Sequence, residues 1–428
     1  MHIYVVKSGD TLFQIARRYG TTSQTISQAN ELPNPDRLVV GQALVIPVSG
    51  NFYVVVAGDS LWSISQKYGI KVEDLTRLNG LSQSAPLQIG RELRIPMAPK
   101  TRAEFTGYIQ PSASGYSTAL LNSARTAAPH LTYFAPVSFN AKRDGTLEEP
   151  AIQPLQPVAE QNGVVFMMDI TNQENDQFSD ELGHILLNDE KVQQTLLDNI
   201  SRIARQFNFS DIHFDFEYLR PEDREAYNRF LRRATERFHR EGKTVSTALA
   251  PKTSADQPGM WYEAHDYKAH GEIVDFSVIM TYEWGYSGGP PMAVSPIGPV
   301  RNVLTFASSV MPASKIVMGQ NLYGYDWTLP FQPGNPPARA ISPQEAIRLA
   351  VRYNASIRYD RVAQAPYIDY TDENGRLHKV WFEDARSIDA KFSLLKELKL
   401  RGMAYWKIGL SFPQNWLLLS DRFTVIKK

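Results

Sequence analysis

The chain contains no cysteine, which excludes disulfides, thiolate metal ligands and a cysteine nucleophile. It leaves the compartment open, because extracytoplasmic proteins can also lack cysteine. No apolar run approaches the roughly 18 to 20 residues of a membrane-spanning helix, so no membrane insertion is expected. Net charge is absent too: 45 basic residues balance 45 acidic ones, and a neutral chain carries no electrostatic footprint for nucleic acid or an anionic membrane. An uncharged ligand fits better. Met1-His2-Ile3-Tyr4 enters a strand-like segment directly, with no charged stretch and apolar core of a signal peptide before it. The length of 428 residues suggests two or three domains.

The most informative stretch is Ser210-Asp211-Ile212-His213-Phe214-Asp215-Phe216-Glu217. A strand has a side-chain period of two, so Asp211, His213, Asp215 and Glu217 share one face while Ile212, Phe214, Phe216 and Tyr218 share the other. With one face strongly apolar, the titratable row either meets water or lines an active site, because burying unpaired charge costs several kcal/mol.

The first hundred residues repeat at an offset of 49. Tyr4-Val5-Val6 recurs as Tyr53-Val54-Val55, Gly9-Asp10 as Gly58-Asp59, Tyr19-Gly20 as Tyr68-Gly69, Asn30 as Asn79 and Ile46-Pro47 as Ile95-Pro96. A gapless match over such a length is a repeat. Each copy reads as strand, two helices, strand, with Asp10 and Asp59 as N-caps, Gly20 and Gly69 as C-caps, and a second helix from Thr25 to Asn30 or Val72 to Asn79. Units this small have little core, so most repeated apolar residues are structural.

These repeats resemble LysM modules over residues 2 to 48 and 51 to 97, on the Gly-Asp-Thr-Leu and Gly-Asp-Ser-Leu turns and the closing Ile-Pro. The resemblance implies binding of N-acetylglucosamine-containing glycan in a shallow groove, at Gly9, Asp10, Thr11 and Leu12 facing Asn34 and Pro35 in the first copy, and at Gly58, Asp59, Ser60 and Leu61 in the second. Two tandem modules raise avidity for a polymer.

After a short linker at 98 to 104, apolar runs alternate with amphipathic helices, the pattern of parallel βα units. Eight strands are predicted: Phe105 to Ile109, Leu131 to Pro136, Val164 to Ile170, Asp211 to Tyr218, Thr244 to Ala250, Val274 to Tyr282, Lys315 to Leu322 and Gly402 to Ile408. Eight such units point to an α/β fold of the TIM (β/α)8 class. Roughly 80 residues separate the last two strands and read as a small α+β insertion with a hairpin around Asp372-Glu373-Asn374-Gly375. The predicted layout is modules at 1–49 and 50–98 and a barrel at 103–428, with the insertion at about 328–385.

Chemistry in this fold sits at the C-terminal strand ends, where Asp215 and Glu217 lie. Other strand ends supply Tyr282, Glu283 and Trp284, then Asn321 and Tyr323, then Trp406. Aromatic faces beside hydrogen-bonding groups suit a sugar ring, although a single buried aromatic with a satisfied polar tip is equally a core residue.

The barrel resembles glycoside hydrolase family 18, the chitinase-like family, on Phe-Asp-Phe-Glu at 214–217, Met-Thr-Tyr-Glu at 280–283, Gly-Tyr-Asp-Trp at 324–327 and the Trp406 strand. The family's Asp-x-x-Asp-x-Asp-x-Glu falls on Ser210, His213, Asp215 and Glu217, so the last two match and the first two depart. The resemblance implies substrate-assisted retaining hydrolysis, an exception to the two-carboxylate scheme. Glu217 is then the general acid and base, Asp215 orients the substrate's acetamido group, and Tyr282 donates to the acetamido oxygen. Glu283 supports them, and Trp406 is the floor under the sugar, with Asn321, Tyr323 and Trp284 as further substrate contacts. No metal or cofactor is implied. At the position of His213 the family carries an Asp that shares a proton with the carboxylate here assigned to Asp215. Protonated, His213 would favour ionised Asp215 and shift the pH profile; neutral, it is a core residue.

Two LysM modules before such a barrel look like the spore-associated peptidoglycan hydrolases of endospore-forming bacteria, among them cortical fragment-lytic N-acetylglucosaminidases. That resemblance implies a monomer in the spore that cleaves cortex peptidoglycan on the reducing side of N-acetylglucosamine. The alternatives are a chitinase or endo-β-N-acetylglucosaminidase and, in another class, a catalytically silent chitinase-like lectin. The sequence leaves endo against exo cleavage open.

Overall fold

The computed structural model describes residues 1–48, 50–84, 86–96 and 99–428. The predicted module boundaries at 49 and 98, and the start of the linker, fall on positions outside the described residues. Eight parallel strands close a barrel: β1 (Thr101–Ile109), β2 (Tyr133–Pro136), β3 (Val165–Thr171), β4 (Phe209–Asp215), β5 (Thr244–Leu249), β6 (Phe276–Ile279), β7 (Ile316–Asn321) and β8 (Gly402–Ile408). Each pairs with the next, and β8 returns to β1. This is a TIM barrel, as its eight βα units predict.

The alternation in β4 does the sorting. Phe214 and Phe216 point outward onto the helix Arg224–Arg240, with Phe214 5.1 Å from Phe230 and Phe216 5.8 Å from Tyr227 between ring centroids. Asp211, His213 and Asp215 point inward. The helix exists because Tyr227, Phe230, Leu231, Ala234 and Phe238 recur at helical spacing, and all five are buried. Pro221 opens a single 3-10 turn just before that helix. Three strand bounds differ most from the expectation: β1 begins at Thr101, inside the predicted linker, β6 ends at Ile279, not Tyr282, and β4 ends at Asp215, not Tyr218. Tyr218 adopts a positive φ of 52° and is exposed, so the chain turns outward and the strict alternation stops at Glu217.

Between β7 and β8 lies a five-stranded antiparallel sheet in the order Arg339–Ile341, Gly324–Leu329, Leu377–Trp381, Ala365–Thr371, Arg358–Asp360. A helix, Pro343–Arg352, packs on it. The sheet starts at Gly324, a few residues before the predicted edge. Among the described residues no helix is long and apolar enough to cross a membrane.

The N-terminal copies are βααβ units. The first pairs His2–Val5 with Ala43–Ile46 around helices Leu12–Tyr19 and Ser23–Ala29; the second pairs Asn51–Val54 with Glu92–Ile95 around Leu61–Tyr68 and Val72–Asn79. Asp10 and Asp59 are not the N-caps. Thr11 and Ser60 cap the first helices through reciprocal capping boxes. Each Asp instead braces the preceding turn: Asp10 accepts from the Tyr4 hydroxyl and the Lys7 amide, both at 2.7 Å, and Asp59 accepts from Tyr53 and Val56 in the same way.

Identical folds meet different surroundings. The first module docks on the barrel and its insertion: Gln344 donates to the Asn30 carbonyl at 2.8 Å, Arg386 to the Gly41 carbonyl at 3.1 Å, and the Ile357 amide to Val40 at 2.9 Å. Gly41 has φ +83°, and a Cβ there would lie 1.8 Å from the Ile357 carbonyl oxygen. At the equivalent Gly90 a Cβ would meet nothing within 4 Å. The second module leans on the first, through the Arg18–Glu92 ion pair and packing of His2 against Phe52.

Candidate active site

Asp215 and Glu217 are buried at the open end of the barrel, 9% and 8% exposed, yet both line a cavity of about 610 Å³. Its walls include Tyr108, Phe178, Tyr218, Trp261, Tyr262, Tyr282, Glu283, Tyr286 and Trp406. A second cavity of about 460 Å³ adjoins it across Trp261, Tyr262, Tyr282 and Glu283, and Trp284 lines that one. The structure thus brings Asp215, Glu217, Tyr282, Glu283 and Trp406 together in one cleft, with Trp284 on its extension.

Glu217 lies beyond the last ladder pair of β4, so its backbone needs other anchors. Asn172, just after β3, supplies them. Its side-chain oxygen accepts from the Glu217 amide and its amide donates to the Glu217 carbonyl, both at 3.0 Å. His265 holds the preceding residue, donating from Nε2 to the Phe216 carbonyl at 2.9 Å while Nδ1 accepts from the Ala250 amide. The carboxyl group of Glu217 accepts a hydrogen bond from Trp261 Nε1 at 2.5 Å, and Trp261 stacks on Tyr218 with planes 10° apart. The outward turn that breaks the alternation therefore builds the bed for Trp261.

Burial first, and then the charge of Asp215, lift the Glu217 carboxyl well above the usual carboxylate range, against an opposing pull from the Trp261 hydrogen bond. Burial also raises Asp215. Of two coupled carboxyls, one holds its proton after the other has lost it, which is the condition for an acid and an anion side by side. Trp261→Phe removes a donor that favours ionised Glu217, so the alkaline limb of the pH–rate profile should move to higher pH. Kinetics of the variant across the alkaline range check this; a limb that moves down contradicts the assigned geometry.

The other predicted residues occupy distinct positions. Glu283 accepts hydrogen bonds from Tyr323 and, at 3.0 Å, from Tyr325, and it holds a positive φ of 68°. Tyr323 is buried behind Glu283 and supports it rather than lining either cavity. Asn321 is fully buried, donates to the Tyr323 carbonyl at 2.7 Å and lines neither cavity. In the modules Gly9, Thr11, Gly58 and Ser60 are exposed, the carboxylates of Asp10 and Asp59 are spent on their own turns, and Leu12 and Leu61 are buried in the module cores.

His213 departs from the charged reading. It is fully buried, and burial pushes its imidazole down to about 3. Nδ1 lies 2.7 Å from Ser246 Oγ and Nε2 lies 2.8 Å from the Tyr108 hydroxyl. Ser246 donates to Asp211, so its oxygen accepts from His213 Nδ1–H, and Tyr108 donates to Nε2. Asp211 also accepts from Thr244. A neutral imidazole with both nitrogens occupied neither charges nor bonds Asp215.

Sequence reasoning passed over Trp261, Asn172, Tyr108 and Asp169. Asp169 and Thr171 were within reach of the rule applied to β4, because Met167, Asp169 and Thr171 alternate inward on β3. Trp261 and Asn172 carried no periodic signal.

A closed parallel barrel with a carboxyl pair at its open end, under an aromatic cleft, is a glycosidase architecture. The chain belongs to the glycosyl hydrolases family 18, whose model matches residues 108–410, and the LysM domain model matches 4–47 and 53–96. Over its full length it is 67% identical to the cortical fragment-lytic enzyme of Bacillus subtilis (strain 168), covering 99% of that protein. It superimposes on the spore cortex-lytic enzyme SleL of Bacillus megaterium QM B1551 with a TM-score of 0.91 at 54% identity, covering 100% of this chain and 99% of that one. For SleL of Bacillus cereus the values are 0.92 and 52%, covering 99% and 98%.

Proposed function

We propose that the chain is an N-acetylglucosaminidase of the spore that hydrolyses cortex peptidoglycan or its fragments, cutting on the reducing side of N-acetylglucosamine with retention. The observation that carries this reading is the carboxyl pair: Glu217 and Asp215 lie buried together in the floor of an aromatic-walled cleft of about 610 Å³, where burial and the charge of Asp215 favour a protonated Glu217. Glu217 protonates the glycosidic oxygen and later takes a proton from water. The substrate's acetamido oxygen attacks C1 to form an oxazolinium ion; Asp215 accepts from the acetamido N–H and stabilises the developing charge. Tyr282, whose hydroxyl lies within electrostatic reach of both carboxyls, donates to the acetamido oxygen, and Trp406 stacks under the ring. The exposed turns of the two LysM modules hold the polymer and raise its local concentration at the cleft.

Digestion of cortex fragments and of chitin oligomers, with mass-spectrometric identification of the new reducing end, tests this. Reducing N-acetylglucosamine from cortex fragments is the expected product. Cleavage of chitin alone would make the enzyme a chitinase. Cleavage of neither, by folded protein, would leave a sugar-binding barrel without catalysis.

A further inference from the structure

Asp169 has no part in the reaction above, yet it stands one strand away from it. On β3 it is in register with His213 of β4, and Thr171, two residues on, is level with Asp215. The period of two then sends Asp169 and Asp215 to the same face, the barrel interior. Asp169 is fully buried, and neither of its carboxyl oxygens meets a hydrogen-bond donor; Oδ1 of Asp215 is unpartnered too. Two unpaired carboxylates at such close quarters are costly to bury, whereas a single proton between them cancels one charge and supplies the missing donor.

Among the described residues no donor reaches either oxygen of Asp169. No Lys or Arg acts on either carboxyl. From β1, Tyr108 gives its hydroxyl proton to His213, and both nitrogens of His213 are occupied. Asp211 lies deeper and is satisfied by Ser246 and Thr244. Glu217 and Tyr282 face the pair from the cleft, and Tyr227 acts on Asp215 from the helix outside; burial favours the neutral form of all three.

We propose that Asp169 is a positioning residue: it stays protonated and donates a hydrogen bond to Asp215, holding Asp215 as the carboxylate that receives the acetamido group. The proposal rests on the role given to Asp215 above. It moves to the neighbouring strand a duty that family resemblance places at residue 213. Burial and the charges of Asp215 and Glu217 raise Asp169 well above the usual carboxylate range, in keeping with a retained proton.

Two variants separate this from a merely structural role. Asp169→Asn keeps the shape and an N–H donor; Asp169→Ala removes the donor. In kcat/KM profiles on cortex fragments, the Ala variant should shift the acid limb up by about one pH unit, with ~tenfold loss below it, because ionised Asp215 has lost its stabilising donor. The Asn variant should keep the limb near that of the parent enzyme. Infrared difference spectra of the full chain without substrate provide the second readout. A protonated-carboxylic-acid carbonyl band should persist above the usual carboxylate range and lose the Asp169 contribution in Asp169→Asn. An unmoved acid limb in folded Asp169→Ala, equal shifts in both variants, or identical infrared spectra for the parent and Asp169→Asn would each overturn the proposal. The infrared comparison needs no turnover, so it decides the protonation of Asp169 even if the substrate assignment fails.

Discussion

Glu217→Gln should lower kcat on cortex fragments by on the order of 10²–10⁴-fold, the usual contribution of a positioned general acid. KM should change little. Gln preserves the volume of the side chain and still offers an oxygen to Trp261 Nε1, the 2.5 Å contact that orients the group, so the cleft keeps its shape while the transferable proton is gone. A loss in kcat with substrate binding retained is the signature of an interaction used in the transition state. Steady-state kinetics, with a thermal melt to verify folding, check it. A variant that retains more than about a tenth of the parent kcat would remove Glu217 from the role of acid.

Asp215→Asn has the second-largest expected effect and a diagnostic direction. The loss in kcat should be about 10²–10³-fold, because the stabilisation of charge developing on the acetamido group is lost. The pH profile should change as well. The charge of Asp215 is one of the causes that raise Glu217, so an uncharged Asn lets Glu217 ionise at lower pH, and the alkaline limb should move down. This is opposite in sign to the shift expected for Trp261→Phe, where the lost hydrogen bond had favoured the ionised form. The two variants measured side by side test both assignments, since any general loss of structure would not move the limbs in opposite directions.

How far the site could be read in advance depended on how local each signal was. Asp215 and Glu217 were legible because alternation along β4 needs only neighbouring residues, and Tyr282, Glu283 and Trp406 because strand ends of a barrel are chemically privileged. Asn321 shows the limit of that rule, since a residue at a strand end can turn to bond its own loop, as Asn321 does with Tyr323. His213 shows another. Its type left a charged and a neutral form open, and full burial with two neutral partners favours the neutral one.

The amino-acid order by itself determined the repeated βααβ units, the eight βα units and the titratable row, because periodicity, caps and turn residues act over a few positions along the chain. Tertiary structure decided what those residues meet. Strand register sets Asp169 level with His213 and Thr171 level with Asp215, so Asp169 and Asp215 share the inward face, the turn at Tyr218 carries Trp261 to Glu217, and docking presses Gly41 against the Ile357 carbonyl while its repeat partner Gly90 stays open. These are contacts between segments far apart in sequence, and the burial that accompanies them is what raises the carboxyls of Asp215 and Glu217 above the usual carboxylate range.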